Sequence, residues 1–171
     1  MENSKNAFRD YLQLEKNYSS HTVNGYLKDL EFFEKFILSE FEEENLREVN
    51  YSQIRTWIVS LVDADISNTS VNRKIASLKS YFKFLLKTKQ IDVSPLLKHK
   101  ALKTQKKLQI PFSEKELNQV LNQIHYPEGF EGVRDKLIID LFYTTGIRRT
   151  ELIHLKINNI DQTALTLKVL G

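Results

Sequence analysis

The sequence predicts a mainly α-helical protein with a four-helix domain, a linker and the helical start of a second domain that carries one β-strand. Only three prolines and five glycines occur in 171 residues, which favours long helices over a turn-rich sheet. Apolar residues recur every three or four positions through most of residues 1–91. Residues 92–112 contain many lysines and no such periodicity, so they are predicted to form a basic linker, and residues 113–171 the second domain.

The first domain shows four helical segments. Phe8, Tyr11, Leu12 and Leu14 predict a helix over roughly residues 3–17. Hydroxyl side chains before two later segments supply N-cap chemistry, at Ser19 and at Ser67. The buried positions of the remaining helices are predicted to be Val23, Tyr26, Leu27, Leu30, Phe33 and Ile37, then Ile54, Trp57, Ile58 and Leu61, then Val71, Ile75, Leu78, Phe82 and Leu85. Four helices with short connections predict a small bundle.

The second domain begins with a capping box, in which Ser113 is followed three residues later by Glu116. Alternating apolar residues near the C-terminus predict a single β-strand with no partner, so this domain is expected to be incomplete. Its predicted elements are a helix to about Ile124, a helix over 134–143, a turn at Gly146, a short helix from Arg148 and a strand at Leu165, Leu167 and Val169.

Positive charge is concentrated in one block. Residues 72–107 hold 11 lysines and arginines against the single acid Asp92, whereas the whole chain has a net charge of only +3. Such a block indicates a polyanionic partner, most simply nucleic acid. The alternative interpretation is a lysine-rich helix and linker whose charges are only solvated. There is no cysteine and the four histidines lie far apart, so we expect no metal and no cofactor. No apolar run is long enough to span a bilayer, and we expect a cytoplasmic protein without membrane contact.

Residues 143–152, with the sequence YTTGIRRTEL, resemble the first conserved box of tyrosine site-specific recombinases. Residues 18–22 (YSSHT) and the stretch 72–85 resemble the first and last parts of the core-binding domain of Xer-type members, a SAM-like helical domain. Residues 106–113 (KKLQIPFS) resemble the linker of that family. The resemblance covers essentially the whole chain in the same order. It implies a core-binding domain followed by the truncated start of a catalytic domain.

The resemblance places Arg148 in the catalytic site. These enzymes cut DNA by attack of a tyrosine on a phosphodiester, without a metal, and a guanidinium can hold two of the oxygens that become more negative. Glu151, one helical turn later, is expected to position this arginine, although it can also be an ordinary first-turn acid. Gly146 is expected to supply a backbone conformation that other residues disfavour. Arg149 departs from the family pattern and is expected to contact phosphate or to be solvated.

The resemblance also implies that two helices of the first domain face duplex DNA. A helical side of the fourth helix, opposite its apolar stripe, carries cations that are expected to be accessible to phosphates, and the linker adds further lysines. Each of these lysines can equally be a solvated side chain. The expected DNA contacts are His21, Thr22, Asn72, Arg73, Lys74, Lys79, Lys83, Lys103, Lys106, Lys107 and Arg149. Further recombinase protomers in a tetrameric synapse are the other expected partners.

Three functions remain open at this point. The first is a recombinase that cuts and rejoins DNA through a 3′-phosphotyrosyl link, for chromosome-dimer resolution or, alternatively, for mobile-element integration. The second is a non-catalytic DNA-binding protein derived from a recombinase, and the third is a helical protein-interaction module. None of the seven tyrosines lies beyond Tyr143, and the family's other catalytic groups have no counterpart, so this chain alone is expected to be inactive.

Overall fold

The computed structural model describes residues 2–105 and 108–169. The chain divides into two compact units, Met1–Lys106 and Lys107–Gly171. The described residues are mostly helical, as the sequence predicts. No helix among them is both long enough and apolar enough to cross a membrane.

The first unit contains four α-helices and one π-helical turn. They are α1 (Glu2–Asp10), the π-helical turn (Tyr11–Glu15), α2 (Ser20–Phe41), α3 (Tyr51–Asp63) and α4 (Asn68–Lys87). Ser19 and Ser67 cap α2 and α4 as predicted, since each hydroxyl accepts a backbone N–H three residues later at 3.3 Å. The helix predicted over roughly 3–17 is present as a continuous helical run from Glu2 to Glu15, but its type changes after Asp10. There the helix widens into the π-helical turn, and Asn17, with a φ of 51°, ends the helical run.

The core of the first unit is formed by the predicted apolar stripes. Trp57 of α3 is fully buried, and its ring lies 4.8 Å from that of Phe33 in α2, centroid to centroid. Phe8 packs against Phe84 of α4, with 5.5 Å between the ring centroids. The buried residues of α4 include Val71, Ile75, Leu78, Phe82 and Leu85, so the whole predicted stripe is confirmed.

The described residues between α4 and the second unit, 88–105, form neither helix nor strand, but part of them packs onto the core of the first unit. Leu96 is buried in the core and Leu102 packs against it. We call residues 96–103 the docked segment. The sequence predicts a linker from residue 92 onward, and the structure differs in that this part of it is held by α3 and α4. The cause is a set of long-range polar contacts that leave no periodic pattern in the sequence.

The second unit contains three α-helices, a short 3-10 turn and a small hairpin. They are α5 (Glu114–Asn122), α6 (Phe130–Thr145), α7 (Arg149–Ile153), the 3-10 turn (Ile157–Asn159), β1 (Ile160–Asp161) and β2 (Thr166–Leu167). The capping box of Ser113 and Glu116 is confirmed at the start of α5.

The predicted lone strand has a partner, so that expectation was wrong. Ile160 lies opposite Leu167 in an antiparallel pair. The carboxylate of Asp161 accepts the backbone N–H groups of Thr163 and Ala164, each at 2.9 Å, which turns the chain back on itself. Because β1 and β2 have two residues each, they are too short to show the alternation of apolar residues predicted at Leu165, Leu167 and Val169. Among the described residues of this unit only Gly132 and Ile147 are buried.

Candidate nucleic-acid interface

A buried carboxylate organises the side of the first unit where α2 and α4 meet. Asp29 of α2 is 4% exposed and accepts four hydrogen bonds from α4. Arg73 donates two of them, each at 2.9 Å, in a bidentate arrangement. Lys74 donates one at 3.2 Å and the Ser77 hydroxyl one at 2.8 Å. A carboxylate is buried at this depth only when it is paired and hydrogen-bonded, as Asp29 is.

This network corrects the expectation that Arg73 and Lys74 present unpaired charges to solvent. The side chain of Lys74 is only 19% exposed, and its ammonium also lies 5.0 Å from the centre of the Phe32 ring. The ammonium of Lys74 is therefore bound by groups of the first unit, Asp29 and the Phe32 ring. The side chain of Arg73 is 56% exposed, so it is more accessible than that of Lys74. Both cations pair with Asp29 because a buried carboxylate requires counter-charges, and their predicted contact with DNA stays a prediction.

The docked segment covers one flank of α4. The amide of Asn72 donates to the carbonyl of Leu102 and accepts the backbone N–H of the same residue, both at 2.9 Å. Asn68 donates to the carbonyl of Lys103 at 2.8 Å, and Lys79 to that of His99 at 3.4 Å. The amide of Asn72 thus holds a backbone 30 residues away in sequence, and the predicted contact of Asn72 with DNA stays a prediction.

His99 forms the other anchor of the docked segment. Its ring lies against Tyr51 of α3, with 3.4 Å between Nδ1 and the phenolic oxygen. Burial lowers the pKa of His99, and the nearby Lys79 lowers that pKa further. The imidazole is therefore neutral at pH 7, and it adds no positive charge to this surface.

The other predicted DNA contacts that lie within the described residues are exposed. Lys83 has no side-chain partner within the part of the chain described, and the side chain of Lys103 is also exposed. His21 and Thr22 lie in the first turn of α2, where the Thr22 hydroxyl is 3.0 Å from that of Ser19. No hydrogen bond or ion pair among the described residues joins His21 or Thr22 to α4. Lys106 and Lys107 fall outside the described residues.

Replacing Asn72 with alanine is expected to release the docked segment. The change removes both hydrogen bonds to Leu102. Two bonds of about 1 kcal/mol each correspond to a rise of roughly tenfold to thirtyfold in the equilibrium constant for opening of the docked segment. Tryptic cleavage after Lys100 and Lys103 should accelerate by about that factor while the helices stay folded. Asn68→Ala, which removes one bond, is the matched control and should have a smaller effect. Equal cleavage rates in Asn72→Ala and the unmodified chain would contradict the assignment.

The turn between α6 and α7 places Arg148 in the second unit. Gly146 has a φ of +64°, which confirms the predicted special conformation, and its N–H donates to the carbonyl of Phe142 at 3.1 Å. Ile147 is buried, and its N–H donates to the Thr145 hydroxyl at 3.2 Å. The backbone before Arg148 is therefore held on both sides of the glycine.

Glu151 holds Arg148 through both of its oxygens. One accepts the backbone N–H of Arg148 at 2.8 Å and the other accepts the guanidinium at 2.7 Å. These bonds lower the pKa of Glu151, the backbone bond contributing most, so the carboxylate is charged at neutral pH. The Arg148 side chain is 77% exposed, with most of its donors facing solvent. Arg149 is also exposed.

The sequence contained one signal of the Asp29 network. Asp29 lies three residues after Tyr26 and four before Phe33, which places an acid on the apolar stripe of α2. A charge at such a position requires a buried partner, but nothing in the sequence says that the partners are Arg73, Lys74 and Ser77. The two-point hold of Asn72 on Leu102 leaves no comparable signal, because the bonded groups of Leu102 are backbone atoms.

Two parts of the chain match the phage integrase family. Residues 6–89 match the phage integrase N-terminal SAM-like domain, and residues 111–170 match the phage integrase family itself. The matches follow each other in order and together cover most of the chain. The chain belongs to the phage integrase family, and its first unit carries the SAM-like domain.

Curated relatives with a common name match the chain over nearly its whole length. It is 32% identical over 164 residues to tyrosine recombinase XerC of Pediococcus pentosaceus, covering 96% of this chain and 54% of that protein. It is 33% identical over 171 residues to tyrosine recombinase XerC of Staphylococcus saprophyticus, covering 100% and 57% respectively. The chain thus spans about half the length of these relatives. A crystal structure of XerA recombinase aligns with a TM-score of 0.46 at 20% identity, covering 99% of this chain and 55% of that one.

Proposed function

We propose that this chain is the DNA-binding part, and the first portion of the catalytic part, of a tyrosine site-specific recombinase. The observation that carries the proposal is the exposed basic surface of the first unit, in a chain of the phage integrase family. α4 contributes Lys79 and Lys83, and the docked segment adds Lys98, Lys100 and Lys103, all exposed. Because this segment runs along α4, its lysines extend the basic surface of that helix. Such a surface suits the phosphate backbone of duplex DNA.

In the proposed reaction, Arg148 acts on the phosphate that is cut. Attack by a tyrosine on the phosphodiester gives a 3′-phosphotyrosyl link and a free 5′-hydroxyl. In the transition state of this step, negative charge builds up on the nonbridging oxygens of the phosphate. A planar guanidinium with exposed donors can bind two of these oxygens. Glu151 is a positioning residue in this proposal, because it holds both the backbone and the side chain of Arg148. The stabilisation is largest in the transition state, where the charge is greatest.

The wider role that we propose is chromosome-dimer resolution by a tetramer of protomers on paired DNA sites, in the cytoplasm. Mobile-element integration is the alternative. This part of the proposal rests on the Xer-type resemblance of the sequence and on the similarity to relatives named XerC. We further propose that the 171-residue chain alone binds DNA without forming the covalent link, since all seven tyrosines lie at or before Tyr143.

Binding of a labelled DNA duplex should weaken steeply as salt is added. Each phosphate that a lysine or arginine neutralises contributes about −0.9 to the slope of log K against log salt, and we expect several such contacts. Lys83→Glu should weaken binding and make the slope shallower, because it reverses a charge on the basic surface without touching the core. Fluorescence anisotropy at several salt concentrations measures both quantities.

Lys35→Glu is the matched control for this experiment, since Lys35 is exposed on α2 and lies beside Glu34 rather than on the basic surface. It makes the same charge change and should have a clearly smaller effect. Affinity that does not depend on salt would rule out the proposed DNA contact. Equal losses in the two variants would show that only the net charge matters and that α4 has no special role.

A further inference from the structure

We infer that Asp29 is a positioning residue for DNA binding, which holds one edge of the Arg73 guanidinium so that its other edge meets a DNA phosphate. The inference rests on the proposed function and deepens it. It identifies a particular anion site on the first unit, where α2 and α4 meet.

The geometry of Arg73 leaves three of its five N–H donors available. An arginine has five N–H donors in one plane. The two terminal nitrogens each give one bond to Asp29, both at 2.9 Å, so the plane of the group is fixed. The remaining donors, including the one on Nε, have no hydrogen-bond partner among the described residues. The side chain is 56% exposed, which leaves room for a phosphate to approach this second edge and for the edge to bind two of its oxygens.

The charges of the cluster also favour an anion. Asp29 carries one negative charge, and Arg73 and Lys74 carry one positive charge each, which leaves a surplus of one positive charge. Lys74 is mostly covered, so the surplus is accessible to solvent mainly through Arg73. Tyr26 lies close to the same group and adds no charge at pH 7, because burial raises the pKa of its phenol further above its ordinary value. No second acid contacts Arg73 among the described residues.

The Asp29 carboxylate is itself held in place. Ser77 and Lys74 bind its two oxygens in addition to Arg73, so four donors from one helix surround it. A carboxylate that is satisfied in this way keeps its orientation. Arg73 therefore loses its rotamer freedom when the protein folds and not when DNA binds, and this preorganisation raises the affinity of a phosphate contact.

The test uses the sign of a change in affinity. In Asp29→Asn the 171-residue chain gains one positive charge, so electrostatics without positioning predicts tighter binding to DNA. Positioning predicts the opposite, about threefold to tenfold weaker binding of a fluorescein-labelled duplex of mixed sequence. Asp65→Asn makes the same charge change at an exposed site and should leave affinity unchanged or slightly raised. Circular dichroism verifies that each variant is folded.

A double-mutant cycle with Arg73→Lys tests whether the effect passes through the arginine. The lysine keeps the charge but lacks the two-pronged edge, so it should weaken binding in the unmodified chain and add little in the Asp29→Asn background. If Asp29→Asn does not fold, Ser77→Ala removes one bond to Asp29 without changing the charge and should weaken binding more mildly.

The outcomes separate the inference from the proposed function. An unmodified chain that does not bind the duplex contradicts both. A chain that binds with the expected salt dependence, while a folded Asp29→Asn binds as tightly or more tightly, overturns only the role of Asp29. Unchanged affinity in Ser77→Ala, where Asp29→Asn is unfolded, overturns it as well.

Discussion

Replacing Arg148 with alanine is expected to reduce covalent DNA adduct formation by about 10²–10³-fold, the usual loss when one preorganised donor to a developing negative charge is removed. The experiment joins this chain to the remaining part of the Staphylococcus saprophyticus relative and measures the adduct by gel electrophoresis with nicked duplex DNA. DNA affinity should change much less, because the guanidinium matters most when charge builds up on the phosphate. The exposed position of Arg148, held by Glu151, allows the substitution without disturbing the fold.

Further variants make this prediction specific. Arg148→Lys should recover little activity, because an ammonium cannot span two oxygens in the manner of a guanidinium. Arg134→Ala, at an exposed position of α6, is the control for loss of an arginine in the same unit and should retain most adduct formation. If Arg149→Ala abolishes the adduct and Arg148→Ala does not, the catalytic assignment is displaced by one residue. If no variant differs from the parent chimera, Arg148 has no catalytic role.

Replacing Trp57 with alanine is expected to destabilise the first unit by about 3–5 kcal/mol, the usual cost of removing a buried aromatic side chain. That is a large part of the roughly 5–15 kcal/mol that stabilises a typical domain. Trp57 is fully buried and packs against Phe33 at the centre of the unit. Urea unfolding followed by circular dichroism measures the loss, and DNA binding should fall in parallel as the unfolded fraction rises.

Trp57→Phe is the matched variant and should cost much less. It keeps an aromatic ring, and it removes the indole Nε1, which is buried without a hydrogen-bond partner among the described residues. An unsatisfied buried donor costs about 1–3 kcal/mol, so its removal offsets part of the lost packing. A phenylalanine variant as unstable as the alanine variant would show that the indole N–H has a partner and that its loss is costly.

Much of the first unit could be predicted because its determinants are local. The capping residues Ser19 and Ser67 and the helical spacing of apolar residues in α2, α3 and α4 depend on contacts within one helix or on one buried stripe. The start of α5 could also be predicted, from the capping box of Ser113 and Glu116. The change of the first helix to a π-helical turn after Asp10 was not predicted, because the spacing of apolar residues does not show where a helix widens.

The sequence by itself determined the helical fold, the concentration of lysines and arginines in residues 72–107 and the motif that contains Arg148 and Glu151. Each of these features depends on residues that are close together in the chain. Only the tertiary structure decided which of those cations are available. It pairs Arg73 and Lys74 with Asp29, more than 40 residues away, and binds Asn72 to the backbone of Leu102. The physical reason is that burying a charge or a backbone polar group demands a partner, and chain folding selects that partner irrespective of its distance in sequence.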